Sequence, residues 1–139
     1  MLQENLKNVQ AKIDSALKRR TEKKITGDTV TLVAVTKNHP ADVITDSLNL
    51  GITAIGENRV QEMTEKLAED AYTGAPLHFI GHLQRNKVRQ VVGKVALIES
   101  VGSYELLEDI DRQAEKLGIV QPILLEVNVG GEEAKSGFA

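Results

Sequence analysis

Along the chain, amphipathic stretches alternate with short, nearly continuous apolar runs. Apolar side chains recur at spacings of three and four near the start, which predicts an amphipathic helix over residues 2–24. That pattern then breaks, and residues 29–35 form a largely β-branched run that ends at Thr36 and Lys37. Because this run lacks a regular polar alternation, it is typical of a strand covered on both faces, as in a parallel sheet.

The alternation continues to the end of the chain. Further strands are predicted at residues 52–55, 77–80, 95–98 and 122–129, and further helices at 41–50, 58–71, 85–92 and 103–117. Pro40 suits the first turn of a helix, Ser103 is a candidate N-cap, and Gly51 and Gly118 are suited to end helices. Each pair of neighbouring strands is separated by room for one helix, so the strands should be parallel with right-handed crossovers.

Alternating strands and helices predict an α/β fold, and two architectures fit the order. An open, doubly wound sheet needs no more than the five predicted strands, whereas a (β/α)8 barrel takes eight strands and about 250 residues. The pattern alone therefore favours the open sheet. In both architectures ligands bind at the carboxyl ends of the strands. Polar residues cluster at those ends here: Lys37, Glu57, Asn58, His82, Gln84, Glu99, Ser100 and Asn128.

The composition is that of a globular protein and excludes several functions. Apolar residues make up 41% and charged residues 27% of the chain, and the net charge of −3 gives no reason to expect nucleic acid or an acidic membrane as partner. No run is long enough to span a membrane, and the N-terminus lacks the apolar core of a secretory signal. The absence of cysteine excludes disulfides and thiolate chemistry. A cytoplasmic location is expected.

Lys37 is the first candidate for chemistry. A lysine directly after a buried strand should rest its stem on apolar surface at the mouth of the sheet, where desolvation disfavours the ammonium form. A neutral amine is what attack on an aldehyde requires. The alternative is that Lys37 is only the first solvated residue after a strand.

Two further polar residues at strand ends are candidates for ligand binding. Asn58 could aim its amide at a ligand from a strand-to-helix turn, or it could be an N-cap. His82 could hydrogen-bond a ligand or have only a structural role. His39 and His78 show no metal-ligand spacing, and His78 should point away from the face that Phe79 occupies. No metal site is expected.

Three charged features favour solvated surface over a site. Glu57 and Glu62 could pair as carboxylates, but their spacing makes a solvated face the preferred interpretation. A basic cluster could attract a phosphate, but a solvated helix face is again preferred: Arg85, Lys87, Arg89 and Lys94. Residues 130–137 are glycine-rich without matching a phosphate-binding loop, and they predict a mobile rim loop.

Taken together, several segments resemble the YggS/PROSC family of pyridoxal phosphate homeostasis proteins. The resemblance covers essentially the whole chain, and the stretch Gly-His-Leu-Gln-Arg-Asn-Lys at 81–87 is highly specific to that family. The other matching segments are residues 33–37, 56–62, 99–101, 126–129 and 135–138.

The resemblance implies a fold, a cofactor and a role. The fold is a (β/α)8 barrel similar to the N-terminal domain of alanine racemase, with about five of the eight strands in this chain, as one partial domain over residues 1–139. The cofactor is pyridoxal 5′-phosphate (PLP), held as a Schiff base on Lys37 with Asn58 and His82 nearby. The implied role is non-catalytic: carrying PLP in vitamin B6 homeostasis, with apo-forms of PLP enzymes as candidate recipients.

One departure from the family bears on stability and affinity. The family's chain continues well past Phe138 with further strands and the main phosphate-binding segment, so this sequence resembles a truncated member. Full-length members are expected to be monomers, whereas an open strand edge here predicts self-association. PLP affinity is expected to drop, because phosphate contacts usually anchor the cofactor.

Two other functions remain open. A racemase-like PLP enzyme needs two acid/base groups on opposite faces of the ring, and Lys37 could be one of them. Tyr72 and Tyr104 are the only tyrosines, and neither follows a predicted strand, which counts against an enzyme. A fragment that binds no PLP is the other alternative, because the phosphate segment is missing.

Overall fold

The computed structural model of the protein describes residues 1–21, 27 and 29–139. Strands and helices alternate in the predicted order. The strands are β1 (Val33–Val35), β2 (Ala54–Glu57), β3 (Leu77–Phe79), β4 (Leu97–Val101) and β5 (Ile123–Leu125). The helices are α1 (Leu2–Arg19), α2 (Ala41–Asn49), α3 (Val60–Ala68), α4 (Val88–Val91), which follows a 3₁₀ turn at Arg85–Lys87, and α5 (Tyr104–Leu117).

All five strands are parallel and pair in the order in which they occur along the chain, β1-β2-β3-β4-β5. A doubly wound sheet reverses its strand order at a switch point, whereas a barrel adds each new strand on the same side. The sequential order therefore corresponds to part of a barrel, and the preference of the pattern alone for an open doubly wound sheet is wrong. The barrel implied by the family resemblance is confirmed.

The predicted elements exist, but several of their bounds differ. The first helix ends at Arg19 rather than at residue 24, and residues 22–26 lie outside the described residues. β1 is shorter than predicted, beginning at Val33 rather than at residue 29. β5 covers three residues of the predicted 122–129 run. Apolar sequence continues past the paired segments in both strands, so composition alone overestimates the length of the ladder.

The core lies between one face of the sheet and helices α2 to α5. Its largest fully buried side chains include Phe79, Ile55, Ile98, Ile44 and Met63. Side chains on a strand alternate between faces. Phe79 is accordingly buried in this core, while its neighbour His78 is half-buried and contacts Glu99, as predicted for opposite faces.

The other face of the sheet, which would line the inside of a barrel, is more open. Val35 is 46% exposed, and Val33 and Ile80 are half-buried. Glycine at position 56 leaves room for the Val33 and Ile80 side chains to pack over the sheet, because a Cβ there would lie 2.9 Å from Val33 Cγ1. At the β5 end, Leu125 is 56% exposed. The predicted open edge is therefore present on the last strand of the described sheet.

Candidate functional site

The carboxyl ends of β1 and β2 bring Lys37 and Asn58 to the same edge of the sheet. Val35 is the register partner of Gly56 in the parallel ladder. Lys37 and Asn58 each lie two residues beyond that pair, just past the ends of their strands. Two of the three residues predicted to contact the cofactor therefore follow neighbouring strands at one edge.

The turn after β1 presents Lys37 to solvent. Thr36 is 3% exposed, and its N–H donates to the carbonyl oxygen of Gly56 at 3.1 Å. Its own carbonyl accepts from the N–H of His39 at 3.1 Å, which closes the turn around Lys37 and Asn38. The Lys37 side chain is exposed. The described residues therefore do not give this amine the partly desolvated environment that the sequence predicted.

Asn58 has an amide oxygen without a partner. Its Oδ1 is buried and makes no hydrogen bond to any described residue. Helix α3 begins at Val60 with Arg59 in the N-cap position, so the interpretation of Asn58 as an N-cap is wrong. A buried polar atom without a partner is costly unless a ligand or water satisfies it. Asn58 therefore retains a free polar group at the rim.

His82 lies farther along the rim than the Lys37–Asn58 pair. It is exposed and lines a cavity of about 300 Å³ between the ends of β3, β4 and β5. Ser100 and Glu126 line the same cavity. The structure therefore places His82 on the β3–β5 side of the edge, whereas Lys37 follows β1 at the opposite end of the sheet.

The remaining histidines have clear surroundings. His39 is exposed in the turn after β1, and the Nδ1 atom of His78 lies 2.8 Å from Glu99 Oε1 on the open face. Within residues 1–21, 27 and 29–139, no group of three histidine or acidic side chains is placed to hold a metal ion. Nor does any described helix have the length and apolarity to cross a membrane.

A buried ion cluster lies beneath the turn that carries Lys37. We define this buried cluster as Glu57, Glu62 and Lys66. The ammonium of Lys66 donates to Glu57 Oε1 at 3.1 Å and to Glu62 Oε1 at 2.9 Å. The Glu57 side chain is fully buried, and that of Lys66 is 9% exposed. The predicted solvated face for Glu57 and Glu62 is therefore wrong.

The buried cluster was detectable in part from the sequence. Lys66 falls three residues after Met63 on the apolar face of α3, where a charged side chain needs a partner. Glu62 and Lys66 also have the spacing of a helical ion pair. The third member, Glu57, comes from β2, and no local pattern connects it to α3.

The cluster affects the ionisation of neighbouring groups. Burial opposes ionisation of Glu62, but hydrogen bonds from Lys66 and Asn38 and the positive charges of Lys66 and Arg59 outweigh it and lower the pKa of Glu62. Burial, together with the negative charges of Glu57 and Glu62, strongly raises the pKa of Tyr72. The Tyr72 hydroxyl is buried and has no partner among the described residues.

The predicted basic cluster lies in and around α4, where Lys87 is half-buried. Arg85 pairs with Asp109 of α5, with 2.5 Å between Nε and Oδ2, and Arg112 contacts the same carboxylate at 2.7 Å. Arg89 and Lys94 are exposed. The predicted solvated surface is confirmed for these side chains, and one of them is neutralised by an acidic partner.

The rim loop after β5 is closed by hydrogen bonds. The N–H of Asn128 donates to the carbonyl oxygen of Phe138 at 2.7 Å, and the N–H of Phe138 donates to that of Glu126 at 2.8 Å. The side-chain amide of Asn128 donates to the carbonyl oxygen of Glu132 at 2.7 Å. Hydrogen bonds therefore close the loop of residues 130–137 at the carboxyl edge.

These features define an α/β protein of the (β/α)8-barrel type with polar side chains at the carboxyl ends of its strands. The sequence profile of the alanine racemase N-terminal domain family matches residues 2–139. The chain belongs to the alanine racemase N-terminal domain family.

Its curated relatives are pyridoxal phosphate homeostasis proteins. That of Aquifex aeolicus is 45% identical over 106 residues, which cover 76% of this chain and 46% of the relative. That of Haemophilus influenzae is 34% identical over 139 residues, covering 99% of this chain and 57% of the relative. The chain thus spans about half the length of these curated relatives. The resemblance to the YggS/PROSC family is confirmed.

Solved structures agree with this assignment. PipY of Synechococcus elongatus with PLP bound superposes with a TM-score of 0.72 at 35% identity, covering 93% of this chain and 57% of PipY. The crystal structure of an unknown protein from Bifidobacterium adolescentis superposes with a TM-score of 0.80 at 36% identity, covering 99% of this chain and 57% of that protein.

Proposed function

We propose that this chain takes part in PLP homeostasis by holding PLP as a Schiff base on Lys37, without catalytic turnover. One observation carries the proposal. An exposed amine follows β1, and the neighbouring strand β2 is followed by Asn58, whose buried amide oxygen has no partner among the described residues. The names of the relatives, and the PLP bound to PipY, support PLP as the ligand.

The residues present fit PLP in part. PLP would supply an aldehyde, and the Lys37 amine would hold it reversibly as a Schiff base. Asn58 would orient the bound ring through its amide, and His82 would contact the ligand from the β3 side. The position of the main phosphate-binding segment outside this chain stays a prediction.

A carrier function requires less of the site than catalysis does. Racemisation needs a second acid/base group opposite Lys37. Tyr72 is buried behind the sheet, against the cluster of Glu57 and Glu62, and Tyr104 is 71% exposed at the start of α5. Neither tyrosine is placed to face Lys37 from the opposite side of a bound PLP ring. A carrier needs only reversible bond formation, with release to apo-forms of PLP enzymes, and we expect this exchange in the cytoplasm.

The proposal is tested by trapping the adduct. The protein is mixed with PLP, its visible absorption spectrum is recorded, and the Schiff base is reduced with borohydride and located by mass spectrometry. We expect one dominant adduct at Lys37, lost in Lys37→Ala and retained in Lys116→Ala, which removes an exposed lysine of α5. Adducts spread over many surface lysines, or an unchanged adduct in Lys37→Ala, would show that the proposal is wrong.

A second assay separates the carrier from a racemase-like enzyme. The PLP-loaded protein is incubated with single-enantiomer amino acids, and optical purity is followed by chiral chromatography. We expect no loss of optical purity above that caused by free PLP. Loss that depends on Lys37 would assign a catalytic activity instead.

A further inference from the structure

The buried cluster connects directly to the two residues that flank Lys37. Lys66 Nζ donates to the carbonyl oxygen of Thr36 at 2.8 Å, and the Thr36 hydroxyl donates to Glu57 Oε1. On the other side of Lys37, the N–H of Asn38 donates to Glu62 Oε1 at 2.6 Å. The cluster therefore holds the chain immediately before and immediately after the reactive lysine.

The donors of Lys66 are fully used in this task, whereas Glu57 Oε2 is buried without a partner among the described residues. An ammonium has three donors, and those of Lys66 reach two carboxylates and the carbonyl of Thr36. A buried carboxylate such as Glu57 is tolerated only when it is paired. Because each cluster member has a partner on another segment, β2, α3 and the turn after β1 are joined at one point.

The turn has a left-handed residue directly after Lys37. Asn38 has a φ of 62°, in a region that asparagine adopts more readily than most residues other than glycine. Its N–H bond to Glu62 fixes the peptide that follows Lys37. Thr36 is buried, whereas Lys37, the next residue, is exposed at the carboxyl edge that Asn58 shares.

We propose that the buried cluster Glu57–Glu62–Lys66 sets the rate at which Lys37 captures PLP by fixing the turn from Thr36 to Asn38. This inference rests on the proposed function, because it concerns the same lysine. The cluster members are positioning residues. They lie on the helix side of the sheet and act on PLP capture through the backbone on both sides of Lys37. Loosening the turn leaves the amine chemically unchanged. It also lets the amine adopt orientations in which it cannot attack an aldehyde held beside Asn58.

The test uses substitutions at Glu62 of α3 and a matched control at an exposed glutamate of the same helix. Glu62→Ala removes the acceptor for Asn38, whereas Glu62→Gln keeps an oxygen acceptor and removes the charge. Glu65→Gln is the control, because Glu65 is exposed on the same helix. Glu62 is only partly buried, with 20% of its side chain exposed, so these variants should fold. Urea unfolding measures their global stability.

Two readouts are compared in each variant. The first is the hydrogen-exchange rate of the Asn38 amide in the protein without PLP, which reports the turn alone. The second is the rate of the Lys37 adduct with PLP, trapped by borohydride. Reductive methylation of Lys37 with formaldehyde is run in parallel, because this small aldehyde needs no oriented ring.

We expect Glu62→Ala to speed exchange of the Asn38 amide and to slow the PLP adduct by about three- to tenfold, with Glu62→Gln between it and wild type. The formaldehyde reaction should stay within about twofold of wild type, and Glu65→Gln should change none of the three rates. An equal slowing with both aldehydes would show that the amine itself has changed and would overturn the positioning role.

The failure of this inference is distinguishable from failure of the proposed function. If Glu62→Ala frees the Asn38 amide while Lys37 still captures PLP at the wild-type rate, the positioning role is wrong and the proposed function stands. If the wild-type protein forms no preferred adduct at Lys37, the proposed function is wrong and the inference falls with it, whatever the exchange rates show.

Discussion

Gly81 lies directly against the backbone of Asn58. A Cβ at position 81 would be 2.2 Å from the Asn58 carbonyl oxygen and 2.7 Å from its Cα. Both neighbours are backbone atoms, which cannot move aside as a flexible side chain can. The turn after β3 therefore supports the turn after β2, and only glycine permits the contact.

Gly81→Ala should displace the turn that carries Asn58. We expect it to lower the free energy of unfolding by about 1–3 kcal/mol, as overpacking does, and to slow PLP capture at Lys37. Gly130→Ala is the control, because a Cβ there would come no closer than 3.8 Å to Glu132 Oε1. Urea unfolding and borohydride trapping measure the two effects. Equal stability of the two variants would contradict the close contact.

Ile55→Val tests whether the sheet face against the helices forms the core. Ile55 has no exposed surface in β2, so loss of one methylene should cost about 0.5–1.5 kcal/mol of unfolding free energy. Val120→Ala is the matched control, since Val120 is 92% exposed after α5 and its truncation should leave the urea midpoint unchanged. A urea midpoint that changes in Val120→Ala but not in Ile55→Val would contradict this assignment of core and surface.

Tyr72→Phe should protect the protein at alkaline pH. The pKa of Tyr72 is raised above its ordinary value of 10.0 by burial and by the charges of Glu57 and Glu62. Above that pH the unfolded chain releases the phenol proton while the folded chain keeps it, so stability falls as the pH rises. The variant lacks this proton and should lose less stability in thermal unfolding followed above pH 10. An equal loss of stability above pH 10 in Tyr72→Phe and in wild type would contradict this role of Tyr72.

Glu62→Gln should flatten the stability profile at acid pH. The pKa of Glu62 is lowered below its ordinary value of 4.5 in the folded chain. Its stabilisation is therefore present above pH 4.5 and is lost as the pH falls through the lower folded pKa. Denaturant unfolding from pH 7 downward should show wild type and variant converging at acid pH. A difference that grows with acidity would contradict the direction of the shift.

The sequence predicted the alternation of the elements and the residues at the ends of the strands with good accuracy. The apolar runs and the capping residues are local, and Ser103 does accept a hydrogen bond from the Leu106 N–H as an N-cap should. Gly118 ends α5 with a φ of 65°, as predicted. The order in which the strands pair was not predicted from the pattern, because pairing joins residues about twenty or more positions apart, which no local pattern contains.

The sequence by itself determined the α/β class, the approximate positions of its strands and helices, and a polar edge that begins at Lys37. Only the tertiary structure decided that Lys37 is exposed there and that Glu57 is buried with Lys66 rather than solvated. The physical reason is that hydrophobic periodicity reports which face of one element is covered. The partner of a buried charge is instead set by how β2, α3 and the turn after β1 meet in space.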